Sequence, residues 1–203
     1  MAFVPSDRSA GHAPTPVKIV IAGGFGAGKT TFVATISEII PLSTEAAMTS
    51  VSVGVDDNSK RTAGKTTTTV ALDFGRITLG TDLILYLFGT PGQDRFFFMW
   101  DELVRGAIGG VVLVDTRRLD ECFPAVDYFE SRDLPFIVAV NCFDGVVEHK
   151  IEEVREALDV RPDVPIVLCD ARTRQSVKLA LLEVTQHAIT RAAAAARTAL
   201  VAQ

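Results

Sequence analysis

Residues Gly23–Thr30 limit the possible folds of this chain more than any other segment. They read Gly-Gly-Phe-Gly-Ala-Gly-Lys-Thr and match the pattern G-x-x-x-x-G-K-[ST]. An apolar run, 17–22, precedes them, and apolar residues at helical spacing follow: Phe32, Val33, Ile36 and Ile40. A strand, a glycine-rich turn and a helix in this order direct main-chain N–H groups and the positive end of the helix at one point. We therefore expect a loop that binds phosphate.

The residue types within this segment predict individual contacts. The Lys29 side chain can reach the β- and γ-phosphates of a nucleotide, and the Thr30 hydroxyl is suited to ligate Mg²⁺. We expect the loop and the first helical turn to contact the nucleotide through Gly24, Phe25, Gly26, Ala27, Gly28, Lys29, Thr30 and Thr31.

Composition excludes several other classes of protein. The net charge is −5 and no Lys/Arg cluster suggests nucleic-acid binding. The 3 cysteines are too scattered for a disulfide framework or a zinc site. No stretch approaches the roughly 20 apolar residues that cross a bilayer. We expect a cytoplasmic protein without a membrane anchor of its own, which partners could recruit to a membrane.

The order of apolar runs predicts one α/β domain over residues 17–196, between a flexible tail at 1–16 and a short tail at 197–203. The predicted strands are 17–22, 70–79, 82–88, 110–115, 135–141 and 165–169. After the first helix, the predicted helices are 94–105, 122–131, 151–158 and 176–196. The polar segment 42–65 is interpreted as a long loop. The predicted fold is a doubly wound, mostly parallel sheet of six strands with one antiparallel strand.

Ligands of such sheets bind beyond the carboxyl ends of the strands. Besides the phosphate loop, three segments follow predicted strand ends. They are Gly89-Thr-Pro-Gly92-Gln93, Asn141-Cys-Phe-Asp144 and Cys169-Asp-Ala171-Arg172.

These segments, in their order and spacing, resemble the small Ras-like GTPases of the P-loop NTPase class over residues 17–190. The run Thr66–Gly75, with Gly-Thr-Pro-Gly-Gln and Asn-Cys-Phe-Asp, is more narrowly similar to the bacterial conservon GTPases named CvnD. These are relatives of the gliding-motility GTPase MglA. The resemblance implies a G domain that binds GTP or GDP with Mg²⁺.

The segment after residue 88 would carry the hydrolytic function in such a protein. The resemblance implies that Gln93 positions the attacking water and that the Gly92 amide senses the γ-phosphate. The family has Asp where this chain has Gly89, so one carboxylate near the metal is missing. We expect weaker Mg²⁺ binding or slower hydrolysis as a result.

The two later segments would recognise the base. The resemblance implies that Asp144 accepts hydrogen bonds from guanine and that Asn141 holds the base edge and the neighbouring loops. The main-chain N–H of Ala171 would meet the guanine carbonyl oxygen, although Cys169-Asp170 could take this role instead. The family's Lys is replaced by Cys142, which removes a side chain that covers one face of the base.

The first switch region would lie in the long loop and the threonines that follow it. A Thr there would bind Mg²⁺ and sense the γ-phosphate. Four threonines, 66–69, leave the choice open. Thr69 fits best when counted back from Asp73 and Phe74, and Thr68 is second. A β-branched edge strand is the alternative interpretation of this run.

The segment from Gly89 to Gln93 would form the second switch of such a protein, and five large apolar residues follow shortly after it, at 96–100. A helix cannot bury five consecutive large side chains on one face. We expect two or three of them to pack inside and the remainder to form a partner surface. The resemblance implies a roadblock-type regulatory protein that contacts Phe96, Phe97, Phe98 and Trp100.

Taken together, the sequence predicts a small GTPase that acts as a molecular switch with slow intrinsic hydrolysis. The alternative is a non-hydrolysing guanine-nucleotide-binding scaffold module in a signalling complex. Phosphate release from GTP distinguishes the two. A kinase or ATPase on the same loop is a third interpretation, and Asn141 to Asp144 argue against it.

Overall fold

The computed structural model of the chain describes residues 13–40, 42–49, 67–92 and 94–201. Within these ranges seven strands form one sheet in the order β2-β3-β4-β1-β5-β6-β7. The strands are β1 (Thr15–Gly23), β2 (Leu42–Thr49), β3 (Thr67–Leu79), β4 (Leu83–Gly89), β5 (Gly109–Val114), β6 (Phe136–Asn141) and β7 (Ile166–Cys169).

Helices connect most of these strands. The α-helices are α1 (Lys29–Ile36), α2 (Trp100–Val104), α3 (Phe123–Ser131), α4 (Ile151–Leu158) and α5 (Arg174–Val201). Short 3₁₀-helices span Asp94–Met99, Thr116–Cys122 and Phe143–Gly145.

The direction of the strands confirms the predicted fold class. β1 pairs in parallel with β4 and β5, and β5, β6 and β7 continue in parallel. β3 runs antiparallel to both of its neighbours, β2 and β4. The six predicted strands are all present, and β3 is the antiparallel one. Among the described strands, β4, β1, β5, β6 and β7 therefore form one continuous parallel set, and β3 opposes it, while β2 runs in the same direction as the set.

The sheet has one more strand than was predicted. β2 lies at the edge of the sheet, in the segment interpreted as a loop, and pairs with β3 from Leu42↔Phe74 to Thr49↔Thr67. Its sequence, LSTEAAMT, has no run of β-branched or aromatic residues. Pairing with a neighbouring strand decides such a segment more than its own composition does, so this part of the loop prediction was wrong.

Each face of the sheet buries its own apolar cluster. One face packs against α1 and α5 through residues such as Ile21, Phe32 and Val184. The other packs against α2, α3 and α4 around Val112, Phe129 and other apolar residues. Alternate residues of β1 point into opposite clusters, Ile19 and Ile21 into one and Val20 and Ala22 into the other. The strand is therefore continuously apolar from Ile19 to Ala22, as expected of a parallel strand that is covered on both faces.

Several predicted boundaries differ from the structure. Helix α1 ends at Ile36, because Ser37 takes an extended backbone and its hydroxyl oxygen accepts hydrogen bonds from the N–H groups of Ile39 and Arg76. Ile40, which was placed on the apolar face of this helix, is 89% exposed. The predicted helix 94–105 is a 3₁₀-helix followed by the short helix α2.

The crevice of a doubly wound sheet lies where the connections from neighbouring strands leave toward opposite faces. β1 is followed by α1 on one face, and its neighbour β5 is followed by α3 on the other. The loops after β1 and β5 therefore form the two walls of the crevice. No described helix has the length and apolar character that a membrane span requires.

Candidate phosphate-binding site

The loop between β1 and α1 turns tightly because glycines occupy its strained positions. Gly28 caps α1 with a φ of 103°, in the left-handed region. A β-carbon on Gly28 would also lie 2.6 Å from Nδ2 of Asn141. A side chain at this position would therefore strain the backbone and push away a neighbouring loop.

Lys29 lies buried inside this loop. Its Nζ donates hydrogen bonds to the carbonyl oxygens of Gly23 at 2.8 Å and Gly24 at 2.6 Å. Burial lowers the pKa of Lys29 to about 8, while the carboxylates of Asp73 and Glu121 act to raise it. The ammonium group is thus held at the loop without a close carboxylate partner, which leaves it available to an anion.

Gly92 lies directly against this lysine. A β-carbon on Gly92 would be 2.7 Å from Nζ of Lys29 and 3.1 Å from the main-chain nitrogen of Phe25. The segment after β4 therefore touches the phosphate loop through main-chain atoms, and any larger residue at 92 would separate the two.

A carboxylate from β3 faces the hydroxyl group of Thr30. The Thr30 Oγ1 donates a hydrogen bond of 2.7 Å to Oδ2 of Asp73, and Asp73 is only 7% exposed. Asp73 is paired with Gly89 across β3 and β4, and a β-carbon on Gly89 would lie 2.9 Å from the β-carbon of Asp73. A carboxylate on the adjacent strand therefore lies beside position 89, in space that glycine leaves open.

One cavity joins these groups. It has a volume of about 260 Å³ and is lined by Phe25, Gly26, Gly28, Lys29, Thr30, Thr31, Asp73, Thr90, Pro91 and Gly92. Thr90 is 2% exposed, and its hydroxyl has no hydrogen-bond partner among the described residues. An ammonium group, three threonine hydroxyl groups and a carboxylate around one cavity suit a phosphate with a divalent cation.

Asn141 connects two of the loops at the end of the sheet. Its Nδ2 donates to the carbonyl oxygen of Ala27 at 2.9 Å, and its Oδ1 accepts from the N–H of Ala171 at 3.1 Å. The predicted role in holding neighbouring loops thus has a defined geometry. The Ala171 N–H, which was predicted to meet a base, is occupied by Asn141 in this structure.

Asp144 lies at the surface of the next turn, in a left-handed conformation with φ 57°. Its side chain is 81% exposed and accepts a hydrogen bond of 2.7 Å from Nη1 of Arg172. Arg172 also pairs with Asp170 at 3.0 Å, which lowers the pKa of that carboxyl group. The guanidinium group therefore bridges two carboxylates from the two predicted base-binding loops.

A second cavity, of about 180 Å³, lies between the loop after β5 and the loop after β6. Asn141, Cys142 and Asp144 all contribute to its lining. Cys142 is buried, with its Sγ toward the carbonyl oxygen of Val140, so it does not extend over the surface as a lysine would.

Some predicted residues lie outside what the structure describes. Gln93 and Thr66 are among them, so the roles given to them stay predictions. Thr69 lies in β3, opposite Ala47 of β2, and its side chain is not among those described. Its assignment as a metal ligand therefore also remains untested.

The apolar segment 96–100 is divided between the core and the surface. Phe96 and Trp100 are 7% and 2% exposed, and the ring of Trp100 packs against Phe97, Tyr128 and Phe129. Phe98 is 62% exposed. Phe96 and Trp100 thus cannot form an open surface, and this part of the predicted partner contact has to be narrowed to Phe98 and the half-buried Phe97.

Two residues of the phosphate cavity escaped the sequence analysis. Asp73 served only to count back to Thr69, and Thr90 was given no role of its own. A carboxylate within an apolar strand was the available indication for Asp73, but its proximity to Thr30 depends on the pairing of β3 with β4. Nothing in the sequence indicated that the Thr90 hydroxyl is buried without a partner.

Comparison with known proteins identifies a matching family and a curated relative. Residues 21–191 match the family model described as "Conserved hypothetical ATP binding protein". An uncharacterized protein of Methanocaldococcus jannaschii is 32% identical over 78 residues, which cover 37% of this chain and 50% of that protein. The chain thus spans about half the length of the curated relative that it matches.

Solved structures with a similar fold include G domains. The G domain of the FeoB iron transporter of T. maritima is 15% identical with a TM-score of 0.57, and the alignment covers 86% of this chain and 99% of that one. The small GTPase Arl6 of Trypanosoma brucei, solved with a bound nucleotide analogue, is 16% identical with a TM-score of 0.59 over 87% and 99%. At this level of identity the likeness establishes the fold, which is that of a P-loop GTPase G domain. It does not extend to the narrower CvnD resemblance.

Replacing Asn141 with Ala should lower the free energy of unfolding by about 2 kcal/mol, because the Ala27 carbonyl and the Ala171 N–H would lose their partner in a buried position. Urea denaturation measures this change. The matched control is Gln186→Ala, which removes an exposed side-chain amide on α5 and should change stability by less than about 0.5 kcal/mol. Equal effects of the two substitutions would show that Asn141 does not tie the loops together.

Proposed function

We propose that this chain, which belongs to the family described as conserved hypothetical ATP binding proteins, is a small GTPase that acts as a nucleotide-dependent switch. One observation carries the proposal: Lys29, Thr30, Asp73 and Gly92 line one cavity at the phosphate loop. The loop supplies N–H groups and an ammonium group for the phosphates. Gly92 lies against Lys29 and directly precedes Gln93, so it connects the loop to the residue proposed to position water. A switch protein needs such a link, because the γ-phosphate must change the position of a neighbouring loop.

The choice of guanine rests on the segment 141–144. An exposed carboxylate at Asp144 can accept hydrogen bonds from the N1–H and the exocyclic amine of guanine, a pair of donors that adenine lacks. The family description names ATP, whereas the structural neighbours include proteins described as small GTPases. The carboxylate favours the guanine nucleotide.

Arg172 can compensate for the missing lysine at position 142. Its guanidinium group already lies beside Asp144, and a planar guanidinium group stacks well on an aromatic face. When guanine binds, its donors would replace Arg172 at the Asp144 carboxylate, and Arg172 would keep its pair with Asp170 while covering the base.

The base preference can be measured by competition between GTP and ATP for a fluorescent GDP analogue. We expect GTP to bind at least about tenfold more tightly than ATP, and Asp144→Asn to remove most of that difference, because the carboxylate is lost. Asp82→Asn, which neutralises an exposed carboxylate in the turn between β3 and β4, at the end of the sheet opposite the phosphate loop, is the control and should change neither affinity. Equal affinity of the wild-type protein for both nucleotides would exclude the guanine assignment.

We propose that Mg²⁺ binds in the cavity beside Thr30. When bound, it would neutralise charge on the β- and γ-phosphates. The donor set fits this ion, since Mg²⁺ usually takes one or two protein oxygens and keeps several waters. The Thr30 hydroxyl is the protein ligand, with Thr69 as a second candidate. Asp73 would hold a metal-bound water and orient Thr30, and the unpartnered hydroxyl of Thr90 could bond another water.

Asp73→Asn should therefore weaken Mg²⁺ binding about 10- to 100-fold, as the loss of an outer-shell carboxylate commonly does. The measurement is the rate of GDP-analogue dissociation as a function of Mg²⁺ concentration, which is independent of hydrolysis. The midpoint of this titration should shift to higher Mg²⁺ in Asp73→Asn and stay unchanged in Asp82→Asn. A midpoint that does not move in Asp73→Asn would rule out the role of Asp73.

We propose slow intrinsic hydrolysis with Gln93 as the residue that positions water. Asp73 reaches the site from the neighbouring strand instead of from position 89, so the metal-side carboxylate approaches from a different direction than in the Ras-like pattern. Phe25 adds a large, 64% exposed side chain to the loop at the cavity. Both features change the space in which a water would have to be placed.

A roadblock-type regulator is the partner that we propose for the surface at Phe98. This residue lies in the 3₁₀-helix Asp94–Met99, six residues after Gly92, which lies against Lys29. A protein bound there could sense the state of the second switch.

Phe98→Ala should weaken the binding of a purified roadblock-type protein, measured by calorimetry, by about tenfold, because an exposed aromatic ring is the main apolar contact available there. Nucleotide affinity should not change. Leu182→Ala removes a similarly exposed apolar side chain from α5 and serves as the control. Identical partner affinity in the wild-type and Phe98→Ala proteins would place the contact elsewhere.

A further inference from the structure

Two glycines of the phosphate loop, Gly24 and Gly26, pack against the same 3₁₀-helix. The pattern requires glycine at 23 and 28, but not at 24 and 26. A β-carbon on Gly24 would lie 2.5 Å from the β-carbon of Glu121, and one on Gly26 would lie 2.9 Å from Nη2 of Arg118. Both neighbours belong to the 3₁₀-helix Thr116–Cys122, which follows β5 and forms the opposite wall of the crevice.

From this packing we propose that Arg118 is a phosphate-binding residue of the nucleotide site. The inference rests on the proposed function and adds to it a cationic side chain from the same chain. Its guanidinium group lies at the surface of the phosphate loop. This place is in the crevice between the loops after β1 and β5, where ligands of this fold bind.

The present partners of Arg118 hold it weakly. Nη1 pairs with Glu121 at 3.1 Å, and both side chains are more than one-third exposed. Nη2 is 3.6 Å from Asp115, which already accepts two side-chain hydrogen bonds of 2.8 Å from Arg117. Exposed ion pairs of this kind contribute little. A phosphate group offers more charge and a geometry that matches the planar guanidinium fork, so it can replace Glu121 as the acceptor.

The backbone at Arg118 is consistent with this placement. It leaves the helical conformation, with φ −144° and ψ 57°, while the turn is anchored by hydrogen bonds from the N–H groups of Arg117 and Arg118 to Asp115. Arg117 next to it lies over the ring of Phe143 at 4.3 Å and faces the other cavity. Two adjacent arginines are thus directed to different places, which provides a matched control.

The test measures binding of tripolyphosphate and of GTP, both with Mg²⁺, to the wild-type, Arg118→Ala, Arg118→Lys and Arg117→Ala proteins. Tripolyphosphate has no base, so its affinity reports phosphate contacts alone. We expect Arg118→Ala to lose about tenfold or more in affinity for both ligands, since hydrogen bonds between charged groups contribute on that order. Arg118→Lys should recover part of the loss, and the affinity of Arg117→Ala for tripolyphosphate, which does not reach the cavity beside Asp144, should stay within about twofold of the wild type.

Urea denaturation of the same variants separates a phosphate contact from a structural brace. A contact predicts that the unfolding midpoint of ligand-free Arg118→Ala is unchanged, whereas a brace predicts that it falls together with the affinity. Glu121→Gln, which removes the competing carboxylate, should bind tripolyphosphate at least as tightly as the wild type. Weaker binding of tripolyphosphate by Glu121→Gln than by the wild type would overturn the inference. Equal losses of tripolyphosphate affinity in Arg117→Ala and Arg118→Ala would also overturn it.

The outcomes also distinguish this inference from the proposed function. If the wild-type protein binds GTP and Arg118→Ala binds it equally well, the inference fails and the proposed function stands. If the wild-type protein binds neither GTP nor tripolyphosphate, the proposed function fails and the inference fails with it.

Discussion

Close approach of other segments to the main chain of the phosphate loop organises this site. The carbonyl oxygen of Leu113 in β5 would lie 2.2 Å from a β-carbon on Gly23, and the Asn141 amide group would lie 2.6 Å from one on Gly28. The loop after β4 reaches Lys29 only because Gly92 has no side chain. The glycines of the loop thus serve two purposes. They allow the backbone to curve around a phosphate, and they allow the segments that carry Asn141 and Gly92 to pack directly against that backbone.

The carboxylate near Thr30 illustrates how a site can keep its chemistry when a motif changes. In the Ras-like pattern this group comes from the strand that pairs with β1, at the position of Gly89. Here Asp73 comes from the next strand and occupies the space beside Gly89. A carboxylate can be moved by one strand because neighbouring residues in paired strands lie about 5 Å apart. The absence of Asp from a motif is therefore a weak argument for the absence of a carboxylate from a site.

Electrostatics differ between the two ends of the crevice. At the phosphate end Lys29 is buried and its pKa is lowered to about 8, so the loop holds a desolvated cation for an anionic ligand. At the other end, Asp144, Asp170 and Arg172 form a surface network. Exposed pairs rearrange at little cost, so this network can exchange partners as the proposed base contact requires, whereas Lys29 is held in place by two main-chain carbonyl groups.

The sequence alone determined the phosphate loop, the fold class and the order of the segments that line the crevice. Those features depend on local backbone requirements and on apolar periodicity, which can be read along the chain. Only the tertiary structure decided that Asp73 faces Thr30, that Thr90 is buried with no hydrogen-bond partner in the described part of the chain, and that Arg118 lies against Gly26. Each of these facts depends on which strands are neighbours and on how closely two loops pack. Neither can be derived from the separation of residues along the chain. The edge strand β2 belongs to the same group, because pairing with β3 supplied the hydrogen bonds that its own composition did not indicate.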